Sequence, residues 1–187
     1  LAADILKSDD SVPLGVIART SLIAYPTGVV SNFPALAAAL APARIADDSR
    51  DVNLNLRTYV KDTSAGGSAT VDWGLGGGHT LTSITAYRTW ENRQIQDGDR
   101  LSAPPSTAFP WSTDDGKVDF KQATQELRVA SPGGRTLDYV AGLFVLKSEN
   151  DEIYRRDVVR VLSGAEQADN GVADYGTQTT SWAVFGE

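Results

Sequence analysis

Apolar and polar residues alternate with a period of two along most of the chain from about residue 52 onward. Residues 52–56 alternate Val, Leu and Leu with polar side chains, and residues 69–75 alternate Ala, Val, Trp and Leu with Ser, Thr, Asp and Gly. This alternation predicts β-strands with one apolar face. Further strands are predicted at about 81–90, 117–131, 137–154 and 177–187, with a strand or short helix at 158–162.

The connections between these strands differ in length. Short turns are predicted at Gly76–Gly78 and Pro132–Gly134, and longer polar connections at about 94–116 and 151–175. Alternating short and long connections favour an all-β, antiparallel up-and-down meander with long loops on one side and short turns on the other. That asymmetry, with strands longer than those of most globular sheets, is typical of part of a large transmembrane β-barrel.

Residues 1–65 differ from the rest and are predicted to be a loop-rich segment with an edge strand. Ser31 or Asn32 is a suitable cap for a short helix from about Pro34 to Leu40, and Pro42 would end it. The edge strand corresponds to the alternation at 52–56. The sequence therefore divides into this outer-loop segment and barrel strands and loops at 66–187.

Charge and composition exclude several classes of protein. The net charge is −7, which disfavours a nucleic-acid surface, and the absence of cysteine excludes disulfides and thiolate metal sites. The longest nearly uncharged apolar stretch, Phe33–Ala43, is too short for a helix that spans a bilayer and contains two prolines. Barrel strands are not excluded, because their alternating faces average to modest hydropathy. The chain also lacks methionine, so we expect it to be a fragment.

The strand faces leave two interpretations open. In 117–131 one face carries Leu127 and Val129, and the other carries Glu126 and Arg128. A wet barrel lumen would accept Glu126 and Arg128 as an ion pair, but the exposed face of a soluble antiparallel sheet would look the same. Both faces of 137–146 are apolar, so the pattern alone does not decide which side is buried.

No arrangement of residues points to catalysis, and we expect neither an enzyme nor a bound metal or cofactor. The glycines of 74–78 precede a strand and not the helix that a phosphate-binding loop needs, so they predict a hairpin turn. His79 is the only histidine, and no base is placed beside a nucleophile. The carboxylates of Asp97–Asp99 and 149–152 do not follow an EF-hand pattern, and a solvated acidic loop is the favoured interpretation.

Aromatic residues suggest two roles. Phe109 and Trp111 lie in or beside the loop at 94–116 and are candidates for stacking on a ligand, together with Glu126 and Arg128 as ligand-binding residues. Tyr87, Trp90 and Trp182 are candidates for the belt of aromatic side chains at a membrane interface.

Three segments resemble a known family. They are GHTLTSITAYRTWENR at 78–93, QELRVASPGGRTLDYVAGLFVL at 125–146 and TTSWAVFGE at 179–187. In order and spacing they resemble the β-barrel region of TonB-dependent outer-membrane receptors, over roughly residues 66–187.

The resemblance implies a function in transport. Members of the family hold an N-terminal plug domain inside a barrel of about 22 strands. They take up a siderophore, cobalamin, glycan or similar nutrient across the outer membrane of Gram-negative bacteria. The TonB complex supplies energy through the plug. No plug is found here and the strands are too few to close such a barrel, so we expect an internal piece, with outer-membrane lipid, a small nutrient and, through the missing plug, TonB as partners. The loops at 94–116 and 151–175 would set specificity.

Another class stays open. A soluble, secreted β-sheet module that binds carbohydrate or protein would also explain the acidity and the strand pattern. The two differ in architecture: the receptor predicts one curved sheet with an apolar band, whereas the module predicts a compact two-sheet sandwich with its own core.

Overall fold

The chain folds into one antiparallel β-sheet. The computed structural model describes residues 1–11, 16–19, 38–41, 44–105 and 110–187. These ranges contain six strands: β1 Ala2–Asp10, β2 Tyr59–Gly76, β3 His79–Asp97, β4 Trp111–Ala130, β5 Val140–Leu162 and β6 Ala165–Gly186.

The strands follow one another across the sheet in chain order, and every neighbouring pair is antiparallel. The predicted all-β, up-and-down meander is confirmed. Strands β2 to β6 are 18 to 23 residues long, which is far longer than the five or six residues usual in globular sheets. Within the described ranges, no helix combines the length and the apolar character of a transmembrane span.

The predicted long connection at 151–175 is wrong. Strand β5 continues to Leu162, a turn at Ser163 and Gly164 reverses the chain, and β6 begins at Ala165. Both turn residues have positive φ, 52° and 79°, as two-residue hairpins require for their twist to match that of the strands. The sequence indicated only a strand or short helix at 158–162, because the small and polar residues of 163–175 resemble a loop.

The connections are therefore less regular than predicted. At one end of the sheet, residues 77–78 and 131–139 link strands. At the other end, the connections are 11–58 and 98–110, which are long, and the tight turn at 163–164. We call these the turn end and the loop end.

The N-terminal segment also differs from the prediction. The edge strand is β1, which pairs with Val60–Ser68 of β2, whereas residues 52–56 are irregular. The proposed boundary at residue 65 falls inside β2. Residues 38–40 are helical, and the earlier part of the predicted helix lies outside the described residues.

The register gives the sheet two different faces. The band face carries an apolar band near the turn end, roughly 14 Å high at about 3.4 Å per residue. Its members are Val71, Trp73, Leu81, Leu127, Val129, Leu143, Val145, Trp182 and Val184. The other face, the polar face, carries mainly small, polar and charged side chains in the same rows, among them Asp72, Arg88, Gln122, Glu126 and Thr179.

No second layer covers either face among the described residues. Within the ranges that the structure describes, the buried hydrophobic residues are Ala39 and Leu40, which lie in the helical turn and not in the sheet, and no large side chain is fully buried. Trp182 and Val184 are 71% and 73% exposed. A sheet without a covering layer buries too little apolar surface to be stable in water alone.

The turn at 77–78 and the connection at 131–139 contact each other at the turn end. The Arg135 guanidinium donates to the carbonyl of Gly77 at 3.2 Å, and the Asp138 carboxylate accepts the backbone N–H groups of Gly134 and Arg135. Gly78 has φ of +83° and lies against Pro132, where a Cβ atom would come within 2.7 Å of the proline ring. These contacts fix the β2–β3 hairpin against the β4–β5 connection.

A glycine and an aromatic ring face each other across β5 and β6. Gly142 pairs with Phe185, and a Cβ atom on Gly142 would overlap the Phe185 ring and lie 2.9 Å from the carbonyl oxygen of Leu127. The ring therefore covers the strand where no side chain stands, a known way of stabilising glycine in a sheet.

We predict that Gly142→Ala destabilises the sheet by about 1–3 kcal/mol, because the new methyl group overpacks this contact. The measurement is the free energy of unfolding in urea. Gly171→Ala in β6 is the control, since a Cβ atom there meets nothing within 4 Å. Adding Phe185→Ala should recover part of the loss, and equal effects of the two glycine substitutions would contradict the assignment.

Candidate functional site

Lysine is confined to one face of the sheet, whereas arginine occurs on both. Every lysine of the chain lies on the band face: Lys7, Lys61, Lys117, Lys121 and Lys147. The strand arginines of the polar face are Arg88, Arg128, Arg156 and Arg160. Each of the four makes an ion pair with a carboxylate of the same face, respectively Asp4, Glu126, Asp114 and Asp169.

Arg88 forms the best-defined of these pairs. Its guanidinium donates to both Asp4 oxygens, at 2.6 and 3.1 Å, and to the Ser64 hydroxyl at 3.2 Å. Gly66 lies beneath it, and a Cβ atom there would stand 3.0 Å from the Arg88 Cζ atom. Because Gly66 has no side chain, the guanidinium can lie flat across three strands, in the bidentate geometry that arginine favours with carboxylates.

A shallow groove of about 250 Å³ lies next to this pair. Its polar-face lining consists of Ala2, Asp4, Ser68, Ala86, Arg88, Gln122 and Thr124. Small side chains form the floor, and charged or amide groups stand at the rim. This arrangement of a few convergent polar groups around a concave surface is typical of ligand sites.

Trp90 lies on the polar face and Tyr87 on the band face, so these two candidates for the aromatic belt do not share a face of the sheet. Three residues separate Tyr87 and Trp90 in one strand, and side chains three apart point to opposite faces. The Trp90 indole donates to Asp62 at 2.9 Å, and the Asn92 amide donates to the same carboxylate oxygen.

Tyr87 and Trp182 both lie on the band face. Tyr87 lies at the margin of the apolar band towards the loop end, and Trp182 lies within the band. Trp73 lies on the same face near the turn end and is 48% exposed. The sequence analysis did not select Trp73, although its alternation with polar neighbours at 69–75 was the available signal.

Glu126 and Arg128 are neighbours on the polar face, as their spacing predicts, with 3.6 Å between Oε1 and Nη1. Trp111 begins β4, fifteen residues earlier, and therefore stands about 50 Å away along the strand. Its indole donates to the Asn55 side chain at 2.9 Å. Phe109 lies outside the described residues. Trp111 therefore does not share a site with Glu126 and Arg128.

The carboxylates of Asp97 and Asp99 accept hydrogen bonds from backbone N–H groups. Asp97 accepts the N–H of Arg100, while Asp99 accepts those of Leu101 and Ser112. Asp97 is 6% exposed, and this burial raises the pKa of its carboxyl group. Over the described ranges, no cluster of acidic or histidine side chains is suited to hold a metal ion.

Asp114, Tyr154 and Arg156 form a cluster on the polar face near the loop end, well beyond the apolar band. Arg156 donates to both oxygens of Asp114, at 2.6 and 2.8 Å, and the Tyr154 hydroxyl donates to the same carboxylate at 2.7 Å. The Arg156 guanidinium holds the pKa of Asp114 below its ordinary value. Sequence reasoning missed this cluster because its members are 40 residues apart and meet only through the β4–β5 register.

Comparisons of the chain with protein-family models, with curated proteins and with solved structures found no match.

We predict that Gly66→Ala weakens the interaction between Asp4 and Arg88, because the methyl group pushes the guanidinium from its flat position. A double-mutant cycle with Asp4→Asn and Arg88→Gln should give a coupling free energy of about 0.5 kcal/mol, modest because both groups are half-exposed. The coupling should fall towards zero in the Gly66→Ala background. Gly74→Ala, in the same strand with open space around it, should leave the coupling intact.

We also predict that the Asp114 cluster stabilises the fold in a pH-dependent way. The pKa of Asp114 is lower in the folded chain than its ordinary value of 3.8, so its contribution is fully present above about pH 4 and is lost as the pH falls through the lower folded value. The difference in unfolding free energy between the wild type and Asp114→Asn should therefore shrink in acid. A difference that stays constant from pH 6 to pH 2 would contradict this role.

Proposed function

We propose that the chain forms part of the wall of an outer-membrane receptor of the TonB-dependent class. The polar face would line the lumen and the apolar band would meet lipid. The observation that carries this proposal is the uncovered single-layer sheet, one face of which carries a continuous apolar band. The resemblance of residues 66–187 to the barrel region of that family supports the same assignment.

A bilayer would supply the covering layer that the apolar band of the sheet lacks. Lipid can cover the apolar band while water fills the space beside the polar face, so neither face needs a second protein layer. A strand needs about 9–11 residues to cross the hydrocarbon region when tilted. Strands of 18 to 23 residues provide that length near the turn end and extend well beyond it towards the loop end.

The sheet edges support the proposal as well. Among the described strands, β1 and β6 pair on one side only. Unpaired backbone groups at such edges are costly in a membrane and promote aggregation in water. Further strands on both sides would close the sheet into a barrel and satisfy these groups.

In this proposal the protein transports and does not catalyse. A small nutrient such as a siderophore, cobalamin or a glycan would enter from the loop end, which would face outward, and pass along the polar face. Energy would come from the TonB complex through a plug domain. The connection at 98–110 and the groove beside Arg88 are the candidates for contact with the nutrient.

A soluble, secreted β-sheet module is the alternative. It would have to cover the apolar band with a second layer, and none is present among the described residues. No observation on the sheet favours this alternative over the receptor.

We predict that Leu143→Arg impairs insertion into lipid, whereas Leu146→Arg does not. Leu143 lies in the apolar band and Leu146 lies on the polar face of the same strand, opposite Thr124 and Ser181. An arginine facing hydrocarbon costs about 2–4 kcal/mol near the bilayer centre, whereas one facing water costs little. The measurement is the fraction of the whole gene product that folds into phospholipid vesicles.

The native protein should also fractionate with the outer membrane of the cell that makes it. Recovery of the native protein as a dispersed species in buffer, or equal effects of the two arginine substitutions, would overturn the proposal.

A further inference from the structure

The guanidinium groups of the polar face are already occupied. All four strand arginines of this face lie within ion-pair distance of a carboxylate, and Arg88 and Arg156 are held in two-pronged contacts. An anionic ligand would have to compete with one of these carboxylates for the guanidinium. The face is therefore poorly suited to anions.

Carboxylates, in contrast, are in excess on this face. Asp62, Asp72 and Glu152 make no ion pair with any cation in the part of the chain that the structure describes. Asp62 accepts from the neutral donors Trp90 and Asn92, and Asp72 accepts from the Thr82 hydroxyl at 2.6 Å. Their negative charges remain uncompensated.

Three aromatic side chains lie in the row that contains two of these carboxylates or in the row next to it. Asp62, Asn92, Val118, Glu152 and Tyr175 form one continuous row of paired positions across β2 to β6. The adjacent row on the polar face contains Trp90 directly opposite Phe120. We call Asp62, Trp90, Phe120, Glu152 and Tyr175 the acid–aromatic belt.

The belt has exposed rings at suitable positions. Trp90 and Tyr175 are 37% and 49% exposed, and the hydrogen bond to Asp62 fixes the edge of the Trp90 indole. Asp62 and Glu152 stand three strand spacings apart, roughly 14 Å, with Trp90 and Phe120 on the strands between them. Aromatic rings attract cations through their electron-rich faces, and a nearby carboxylate adds to that attraction.

We propose that the acid–aromatic belt binds an organic cation that carries amine or guanidinium groups, and that the polar face selects against anions. The two carboxylates interact with separated positive charges of one ligand, and the rings between them cover its hydrocarbon links. This inference names the class of ligand that the polar face accepts. It requires only that the face is open to solvent, so it can hold or fail independently of the assignment to a membrane.

The test is a binding titration on the intact protein, dispersed in detergent or in buffer as the protein requires. Spermidine is the cationic probe, tetraethylene glycol the uncharged probe of similar shape, and citrate the anionic probe. Spermidine should bind, and more weakly as salt rises, whereas the other two should not.

Substitutions locate the site. Asp62→Asn and Glu152→Gln keep the size of each side chain and an acceptor oxygen but remove the charge, so each should weaken spermidine binding about fivefold. Trp90→Leu removes a ring and should weaken it about two- to fivefold. Asp151→Asn is the matched control, because it removes an equal charge from the next residue of β5, which points to the band face.

Three results would overturn the proposal. They are an absence of spermidine binding, an equal loss in Asp151→Asn and Glu152→Gln, and citrate binding as tight as that of spermidine. If the native protein proves not to be a membrane protein while spermidine still binds through Asp62 and Glu152, the receptor assignment fails and the cation site stands.

Discussion

The backbone hydrogen-bond ladder is the interaction on which every other feature of this molecule depends. With no second layer over the described sheet, each strand from β2 to β5 is held by its two neighbours through continuous pairing along most of its length. A shift of one residue between two strands would move every side chain of the shifted strand to the other face. The apolar band, the paired arginines and the groove beside Arg88 therefore all follow from a single register.

The sequence predicted those parts of the fold that carry a local signal. Alternation located the strands near 69–75, 81–90 and 117–131, and it assigned Leu127 and Glu126 to opposite faces. The two faces of 137–146 could not be told apart because both are apolar, and only pairing with β4 and β6 assigns Leu143 to the band and Phe144 to the polar face. Strand β1 and the strands around 151–175 were missed because their polar residues resemble a loop until a neighbouring strand pairs with them.

The candidate site was predicted less well, for a related reason. Asp4 and Arg88 are 84 residues apart, and no pattern within either segment indicates that they meet. The ion pair of Glu126 with Arg128 was predictable because two residues in one strand share a face. The face that Trp90 occupies could not be predicted from its aromatic character. It lies three residues after Tyr87 in the same strand, so the two side chains point to opposite faces.

The confinement of lysine to the band face gives the two faces different chemical reactivity. All five lysine side chains lie on the band face, between the apolar band and the loop end. The polar face has no lysine. An amine-directed reagent would therefore modify this sheet from one side only, apart from the terminal amino group. Lysine can serve as a natural marker of that side, reporting which face a partner or a solvent boundary covers without any engineered label.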